Sequence, residues 1–166
     1  MTPYRRIVVG TDGSALAEPT VARAAVLAAS EGAELVIVCA YSEVTQRDEA
    51  RVGGLGDTRV GTVLGRAAAE DAVAAAAAAA TASGLGATVA APLLVESDPA
   101  EALVAAAASR SADLVVIGAI RDVSIADRLL GTVASAVVRR AACEVLVVRP
   151  PKSWGGVEDL EVPADA

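Results

Sequence analysis

Five short runs rich in valine, isoleucine and leucine recur along this chain and alternate with segments rich in alanine. Short continuous aliphatic runs are typical of strands buried on both faces, and alanine-rich segments bounded by glycine or capping residues favour helices. The predicted strands span residues 6–10, 34–41, 87–95, 113–118 and 144–149, and the predicted helices 15–29, 62–83, 99–110 and 131–141. Alternating strands and helices form a parallel sheet with helices on both faces, which predicts a three-layer, doubly wound α/β fold.

The length of 166 residues fits a single domain, which we place at residues 1–150. Residues 151–166 form an acidic tail that we expect to be flexible, and residues 42–61 form a polar loop with several glycines. Because the chain has no phenylalanine and only 2% aromatic residues, its core has to be aliphatic. An aliphatic core suits helices packed on a valine-rich sheet better than a β-sandwich.

The composition excludes several functions. The chain has no histidine, and Lys152 is its only lysine, which rules out histidine-based triads, histidine-ligated zinc and a Walker-type phosphate loop. A net charge of −7 argues against nucleic-acid binding and docking on anionic lipid, and no apolar run is long enough to span a membrane. We interpret Cys39 and Cys143 as buried free thiols of a protein in the reducing cytoplasm.

The strongest local signal is the stretch from Val116 to Ser135. It leaves a predicted strand at Gly118, where a glycine allows a sharp turn and the close approach of a ligand. It enters a predicted helix at Gly131-Thr132, where free N–H groups, a hydroxyl and the helix dipole suit an anion. The stretch therefore predicts a phosphate cradle. The alternative is a strand, a loop and a helix start with ordinary turn and capping residues.

In a doubly wound sheet, the strands can lie side by side in the order 3-2-1-4-5, where each number is the strand's place along the chain. In such a sheet, ligands bind beyond the carboxyl ends of the first and fourth strands, where the order reverses. The turn from Gly10 to Ser14 follows the first strand, and the stretch from Gly118 to Thr132 follows the fourth. The two glycine-bearing turns would then face each other across one crevice. For Asp12, in the first turn, the alternative is a structural role in closing the turn.

Four motifs make the chain similar to the universal stress proteins over residues 4 to 149: VVGTDGS from Val8, DLVVIG from Asp113, LLGTV from Leu129 and EVLVVRP from Glu144. The resemblance implies the 3-2-1-4-5 fold and a role in stress response and signalling. It also implies a homodimer formed through the exposed edge of the fifth strand, from Glu144 to Arg149. In one branch of the family it implies ATP binding.

The ATP-binding branch carries a glycine, two residues, a second glycine, nine residues, and then Gly-Ser or Gly-Thr. Gly118 and Gly131-Thr132 fit this pattern, but Arg121 stands at the second glycine and Ala119 stands where a hydroxyl residue is common. The Arg121 guanidinium would either pair with phosphate or fill the pocket.

The resemblance implies that this chain binds an adenine nucleotide, ATP, with or without magnesium. By position, Asp12 would face the ribose, the backbone of Ala40 would meet the base, and Gly131 would line the phosphates. The full predicted set is Gly10, Thr11, Asp12, Ala40, Ile117, Gly118, Arg121, Gly131, Thr132 and Val133. No residue is an evident general base, so we predict at most slow hydrolysis, no catalytic residue and no protein metal ligand.

Other functions remain open on the sequence. The first is the branch of the family that binds no nucleotide and acts as a dimeric interaction module. A phosphoryl-accepting receiver shares this kind of sheet but needs a lysine after its last strand, and a flavin carrier usually stacks aromatics, for which Tyr41 alone is poor support. An ATP-using ligase of the adenine-hydrolase type would carry a glycine-rich loop that residues 11–14 match only faintly.

Overall fold

The computed structural model describes residues 3–15, 17–43, 63–82, 86–119 and 131–149. Strands and helices alternate along them in this order: β1 (Arg6–Gly10), α1 (Glu18–Glu31), β2 (Glu34–Ser42), β3 (Val63–Leu64), α2 (Arg66–Ala82), β4 (Thr88–Val89), β5 (Leu93–Glu96), α3 (Pro99–Arg110), β6 (Leu114–Gly118), α4 (Thr132–Arg140) and β7 (Glu144–Val148). Arg121, the tail 151–166 and most of the predicted loop 42–61 lie outside the described residues.

All strand pairs in the sheet are parallel, and β1 lies at its centre. β1 pairs with β2 on one side and with β6 on the other, β7 continues the sheet beyond β6, and β4 and β5 both pair with the outer side of β2. The predicted fold class is confirmed. The strand order differs slightly from the predicted one, because the third predicted strand is divided into β4 and β5 and because β3, which was not predicted, also pairs with β2.

Alternate residues of the strands enter two separate cores. Ile7 and Val9 of β1 pack with α1 and α2 on one face, whereas Val8 packs with α3 and α4 on the other. Both cores consist mainly of Val, Ile, Leu and a large share of Ala, and the core formed with α1 and α2 also contains Cys39 and Tyr41. The strands β1, β2 and β6 are thus covered on both sides, which explains their unbroken aliphatic runs.

The third predicted strand, residues 87–95, is interrupted, so the prediction of one continuous strand was wrong. Val89 pairs with Leu35 of β2, and the next pair joins Leu93 to Val38. Three residues of the outer strand therefore lie opposite two residues of β2. Pro92, in the interruption, has no N–H to give to the ladder, and a bulge on an outer strand is where a sheet tolerates a proline.

Helix α1 starts later than predicted. The sequence predicted Ala15 as its first residue with Ser14 as the N-cap, but the helix begins at Glu18 and Ala17 is the N-cap. Pro19 fixes the position, because its ring and missing N–H are tolerated only in the first turn of a helix. Ser14 instead closes the turn that follows β1.

Helix α2 also starts later than the predicted residue 62, because the two-residue strand β3 precedes it. Tyr41 of β2 pairs with Val63 of β3 and also with Glu96 of β5. Since a strand has only two edges, β3 lies on the same side of β2 as β1, beyond Gly10, the last residue of β1.

Several helix ends match the sequence prediction. Asp98 caps α3 by accepting hydrogen bonds from the N–H groups of Ala100 and Glu101. Gly32 ends α1 in the left-handed conformation, and Ser111 does the same after α3. Among the described helices, none has the length and apolar character needed to cross a membrane.

Hydrogen bonds to two carboxylates hold the amino ends of the central strands. The backbone N–H groups of Arg5 and Arg6 donate to Asp113 Oδ2 at 2.8 and 2.9 Å. The Arg6 side chain donates to Glu34 Oε2 at 2.6 Å and also to the carbonyl of Arg110. The two backbone donors are the main reason that the pKa of the Asp113 carboxyl is below its usual value.

We expect Asp113→Ala to lower the free energy of unfolding by about 1–2 kcal/mol, because it removes the charged acceptor of two backbone N–H groups. The folded-state pKa is depressed, so this stabilisation is present above the unfolded pKa of about 4 and is lost as the pH falls through the folded value. Urea unfolding at about pH 7 and about pH 3 measures both effects. Asp71→Ala, which removes an exposed carboxylate of α2, is the matched control. Equal stabilities of the two variants at neutral pH would contradict the prediction.

Candidate functional site

The carboxyl ends of β1 and β6 lie side by side. The two strands pair from Ile7 and Leu114 to Val9 and Val116, and Gly10 and Ile117 follow these last partners directly. The edge at which the strands end is called the carboxyl edge below, and the crevice is the part of it between the ends of β1 and β6. As the sequence predicted, the turn after β1 and the end of β6 meet there.

The turn after β1 is closed by its own side chains. Thr11 donates its N–H to Val38 O of β2 at 2.9 Å, and its hydroxyl accepts from the N–H of Gly13 at 3.1 Å. Ser14 donates both its N–H and its hydroxyl to Asp12 Oδ1, at 3.0 and 2.6 Å. Asp12 therefore does close the turn. Within the described residues no hydrogen bond involves its second oxygen, Oδ2.

Two glycines of this turn let helices approach closely. A Cβ on Gly10 would lie 3.1 Å from the nearest methyl carbon of Leu103 in α3. A Cβ on Gly13 would lie 2.9 Å from the Cβ of Ala72 in α2, and Gly13 also has a φ of +74°. Packing alone thus gives both positions a reason to be glycine.

Gly118 faces a helix as well. An ideal Cβ at this position would lie 2.9 Å from the hydroxyl oxygen of Thr20, in the first turn of α1. The sequence had indicated that Gly118 serves a sharp turn and the close approach of a ligand. The structure gives a second reason, since the missing side chain would point towards α1.

Ala40 and Ile117 contribute little side-chain surface to the crevice. Each is only 6% exposed, and both side chains pack in the core formed with α3 and α4. Any contact between Ala40 and a ligand would therefore be through its backbone, as the resemblance implied. Ala119 is also buried, and its N–H donates to Val148 O of β7 at 2.8 Å.

Helix α4 begins at a glycine with an unusual backbone. Gly131 is the N-cap, with φ 76° and ψ 164°, a region that is essentially restricted to glycine. Its carbonyl accepts the first helical hydrogen bond, from Ser135, and among the described residues no side chain caps the first turn. The predicted helix entry is thus confirmed, but Thr132 is the first helical residue and does not serve as the cap.

The first two residues of α4 differ in how far they are exposed. Thr132 is exposed, whereas Val133 is half-buried and packs against the core formed with α3. Because β6 ends at the carboxyl edge and β7 starts at the opposite edge, α4 begins at the carboxyl edge. Its first-turn N–H groups and the positive end of its dipole are therefore on the same edge as Gly10 and Gly118.

The charged groups of the site are sparse. Burial, and to a lesser degree the charge of Asp12, raise the pKa of the Cys39 thiol to about 11, so this thiol stays protonated at neutral pH. Cys39 is fully buried as predicted, but Cys143 is only half-buried and lies at the opposite edge of the sheet. In the part of the chain that the structure describes, no three metal-ligating side chains cluster.

Sequence reasoning missed the residues behind the glycines: Ala72, Leu103 and Thr20. Ala72 and Leu103 cannot be recognised, because they look like any other core residue. Thr20 could have been recognised from the sequence, because it is the one polar residue on a buried helix face. The other residues of this face are Val21, Ala24, Ala25 and Ala28.

A comparison with family models matches residues 3–149 to the universal stress protein family. Universal stress protein Rv1636 of Mycobacterium tuberculosis strain H37Rv is 36% identical over 148 residues, which cover 89% of this chain and 98% of the relative. The chain therefore belongs to the universal stress protein family.

Solved structures agree with this assignment. A universal stress protein in complex with cAMP has 33% identity and a TM-score of 0.66, and the match covers 89% of this chain and 98% of that one. A universal stress protein of Archaeoglobus fulgidus in complex with dAMP has 24% identity, a TM-score of 0.61 and the same coverage. The second likeness establishes the fold alone.

We expect Gly131→Ala to lower the free energy of unfolding by about 1–3 kcal/mol, because L-residues rarely adopt its backbone angles. Gly32→Ala is the matched control: its φ is +66°, but nothing lies within 4 Å of the added Cβ, and its left-handed conformation is open to other residues at about 1 kcal/mol. Urea unfolding of the two variants measures the difference. A smaller loss at Gly131 than at Gly32 would contradict the assigned cap.

Proposed function

We propose that this universal stress protein binds an adenine nucleotide in the crevice between β1 and β6 and acts in stress response and signalling, with little or no hydrolysis. The observation that carries the proposal is the cap of α4. Gly131 has no side chain with which to cap the helix, and no described residue accepts from the first-turn N–H groups, so these groups are suited to bind an anion. A 33% identical universal stress protein in complex with cAMP supports an adenine nucleotide as the ligand.

The charge of the protein makes such a local anion site necessary. The chain has a net charge of −7, which repels a nucleotide at long range. The helix dipole and oriented N–H groups act over a few ångströms and offset this repulsion at the phosphates. Exposed Thr132 adds a hydroxyl at the same place.

Asp12 is suited to hold the ribose. Ser14 donates two hydrogen bonds to Oδ1 and so fixes the carboxylate, while Oδ2 is left to accept from sugar hydroxyls. The backbone of Ala40, at the end of the neighbouring strand β2, would meet the base. None of the described residues of the crevice is an evident general base, which agrees with slow or absent hydrolysis.

ATP and cAMP are both candidates within this class. ATP follows from the family pattern, in which Gly118, Gly131 and Thr132 keep their places. Arg121 and Ala119 depart from that pattern in the part that meets the phosphates. A ligand with a single phosphate, as in the cAMP complex of the relative, would depend less on those two positions.

We expect ATP or cAMP to raise the melting temperature of the purified protein, because a ligand bound only by the folded state stabilises it. Gly131→Val should abolish the rise, since it alters the cap that presents the N–H groups. Gly32→Val places a strained residue at the end of α1, away from the crevice, and the variant should therefore still show the rise in melting temperature. Calorimetry with ATP, cAMP and AMP, with and without magnesium, identifies the ligand.

The same titration decides the role of Arg121. Tighter ATP binding by Arg121→Gly would mean that the side chain blocks the phosphates, and weaker binding that it clamps them. No stabilisation of the wild-type protein by any of these nucleotides at about millimolar concentration would contradict the proposal. That result would favour an interaction module whose crevice holds no nucleotide.

The proposal includes a cytoplasmic homodimer formed through the outer edge of β7. Ala119 N–H donates to Val148 O, and Glu144 N–H donates to Asp113 O. Because backbone groups alternate along a parallel strand, residues 144, 146 and 148 face β6. Val145 and Val147 therefore direct their backbone groups outward, where a second copy would pair with them.

Val147→Pro should leave the chain folded but monomeric, because it removes an outward N–H and leaves the ladder to β6 intact. Leu146→Pro, which removes an N–H that faces β6, should destabilise the fold instead. Light scattering after size exclusion gives the mass, for which the single chain weighs 16.5 kDa. A wild-type monomer, or a dimer that survives Val147→Pro, would contradict this interface.

A further inference from the structure

The first turn of α1 lies between the two sides of the crevice. The chain leaves β1 at Gly10, passes through the turn closed by Asp12 and Ser14, and enters α1 at Glu18. Thr20 follows in that first turn and is only 2% exposed. Its side chain points at β6, which forms the other side of the crevice.

The contact between Thr20 and Gly118 is close. A Cβ on Gly118 would lie 2.9 Å from Thr20 Oγ1 and 3.9 Å from Thr20 Cβ, and among the described residues no other atom lies within 4 Å. The hydroxyl belongs to a short β-branched side chain, which has few rotamers in a helix. Leu103, opposite Gly10, presents instead the end of a longer side chain that can move aside.

Backbone conformation gives Gly118 no need to be glycine. The described glycines with positive φ are Gly13, Gly32, Gly65, Gly86 and Gly131, and Gly118 is not among them. Among the described residues, the space that Thr20 occupies is therefore what disfavours a side chain at this position.

We propose that Thr20 is a positioning residue of the crevice, which fixes where the chain leaves β6 relative to the turn after β1. The chain end at Gly118 and Ala119 is then held from two sides, by α1 through Thr20 and by β7 through the bond from Ala119 N–H to Val148 O. The effect of Thr20 on the ligand rests on the proposed nucleotide binding, whereas the contact between Thr20 and Gly118 does not.

A double-mutant cycle tests the contact. Gly118→Ala should lower the folding equilibrium constant by about tenfold or more, because the new methyl group meets Thr20 Oγ1. In a Thr20→Ala background the loss should largely disappear, since the nearest remaining atom is 3.9 Å away. Thr20→Ser, which keeps the hydroxyl but not the β-branch that restricts its rotamers, should relieve the loss only in part. Gly10→Ala is the matched control, and its effect should be the same in all three backgrounds.

Local exchange and ligand binding test the positioning. In Thr20→Ala, the Ala119 amide should exchange about tenfold faster while amides of central β1 change little, and Thr20→Ser should behave as the wild type. Affinity for ATP or cAMP should fall about fivefold in Thr20→Ala and stay within about twofold in Thr20→Ser, under conditions where all variants are folded. The Ser variant separates the hydroxyl from a general loss of stability.

The outcomes distinguish the two proposals. An equal penalty for Gly118→Ala with Thr20 and with Ala at position 20 overturns the contact. Unchanged Ala119 exchange in Thr20→Ala, or unchanged affinity in a protein that does bind nucleotide, overturns the positioning role. If the wild-type protein binds no nucleotide, the proposed function fails, while the cycle and the exchange rates still decide the role of Thr20.

Discussion

Both faces of the central strand have to be covered at once, and the rest of the structure depends on this constraint. Val8 and Val9 are neighbours in β1, yet each is fully buried in a different core. A parallel sheet meets this need because its crossover helices cover both faces. With no phenylalanine, the space between sheet and helices is filled by aliphatic side chains and by alanine. Helices with alanine faces can approach the sheet closely.

This close approach changes the interpretation of the glycines around the crevice. Gly10, Gly13 and Gly118 each face a residue of a different helix, and a Cβ at any of them would lie closer to that residue than an ordinary van der Waals contact. Glycines at strand ends are commonly interpreted as leaving space for a ligand. In this chain they also leave space for the side chains of α3, α2 and α1, respectively. Gly131 differs from them, because its backbone angles alone demand glycine. Of the four, it is the most direct support for an anion site.

The proposed binding role agrees with how few reactive groups the described residues of this edge contain. Asp12 is engaged with Ser14, Cys39 is buried and stays protonated, and the chain has no histidine. What remains is a set of fixed backbone donors and a carboxylate, which suit recognition better than turnover. A protein that holds a nucleotide without consuming it has the properties of a sensor, and the outward edge of β7 offers a surface through which two copies would associate.

The sequence by itself determined the fold class, because aliphatic runs, alanine-rich segments and caps such as Asp98 are local signals that agree with one another. The strand order followed from the resemblance to the universal stress proteins. The sequence also located Gly131 as the entry to the last helix and placed Asp12 in a turn. It could not determine that Pro92 divides an outer strand, that Pro19 delays α1, or that β3 precedes α2. Each of these depends on what the backbone pairs with across the sheet. Only the tertiary structure identified Thr20, Leu103 and Ala72 as the neighbours of the crevice glycines. The physical reason is that a glycine records the absence of a side chain, whereas the atom that requires this absence belongs to a residue distant in sequence, which only folding brings near.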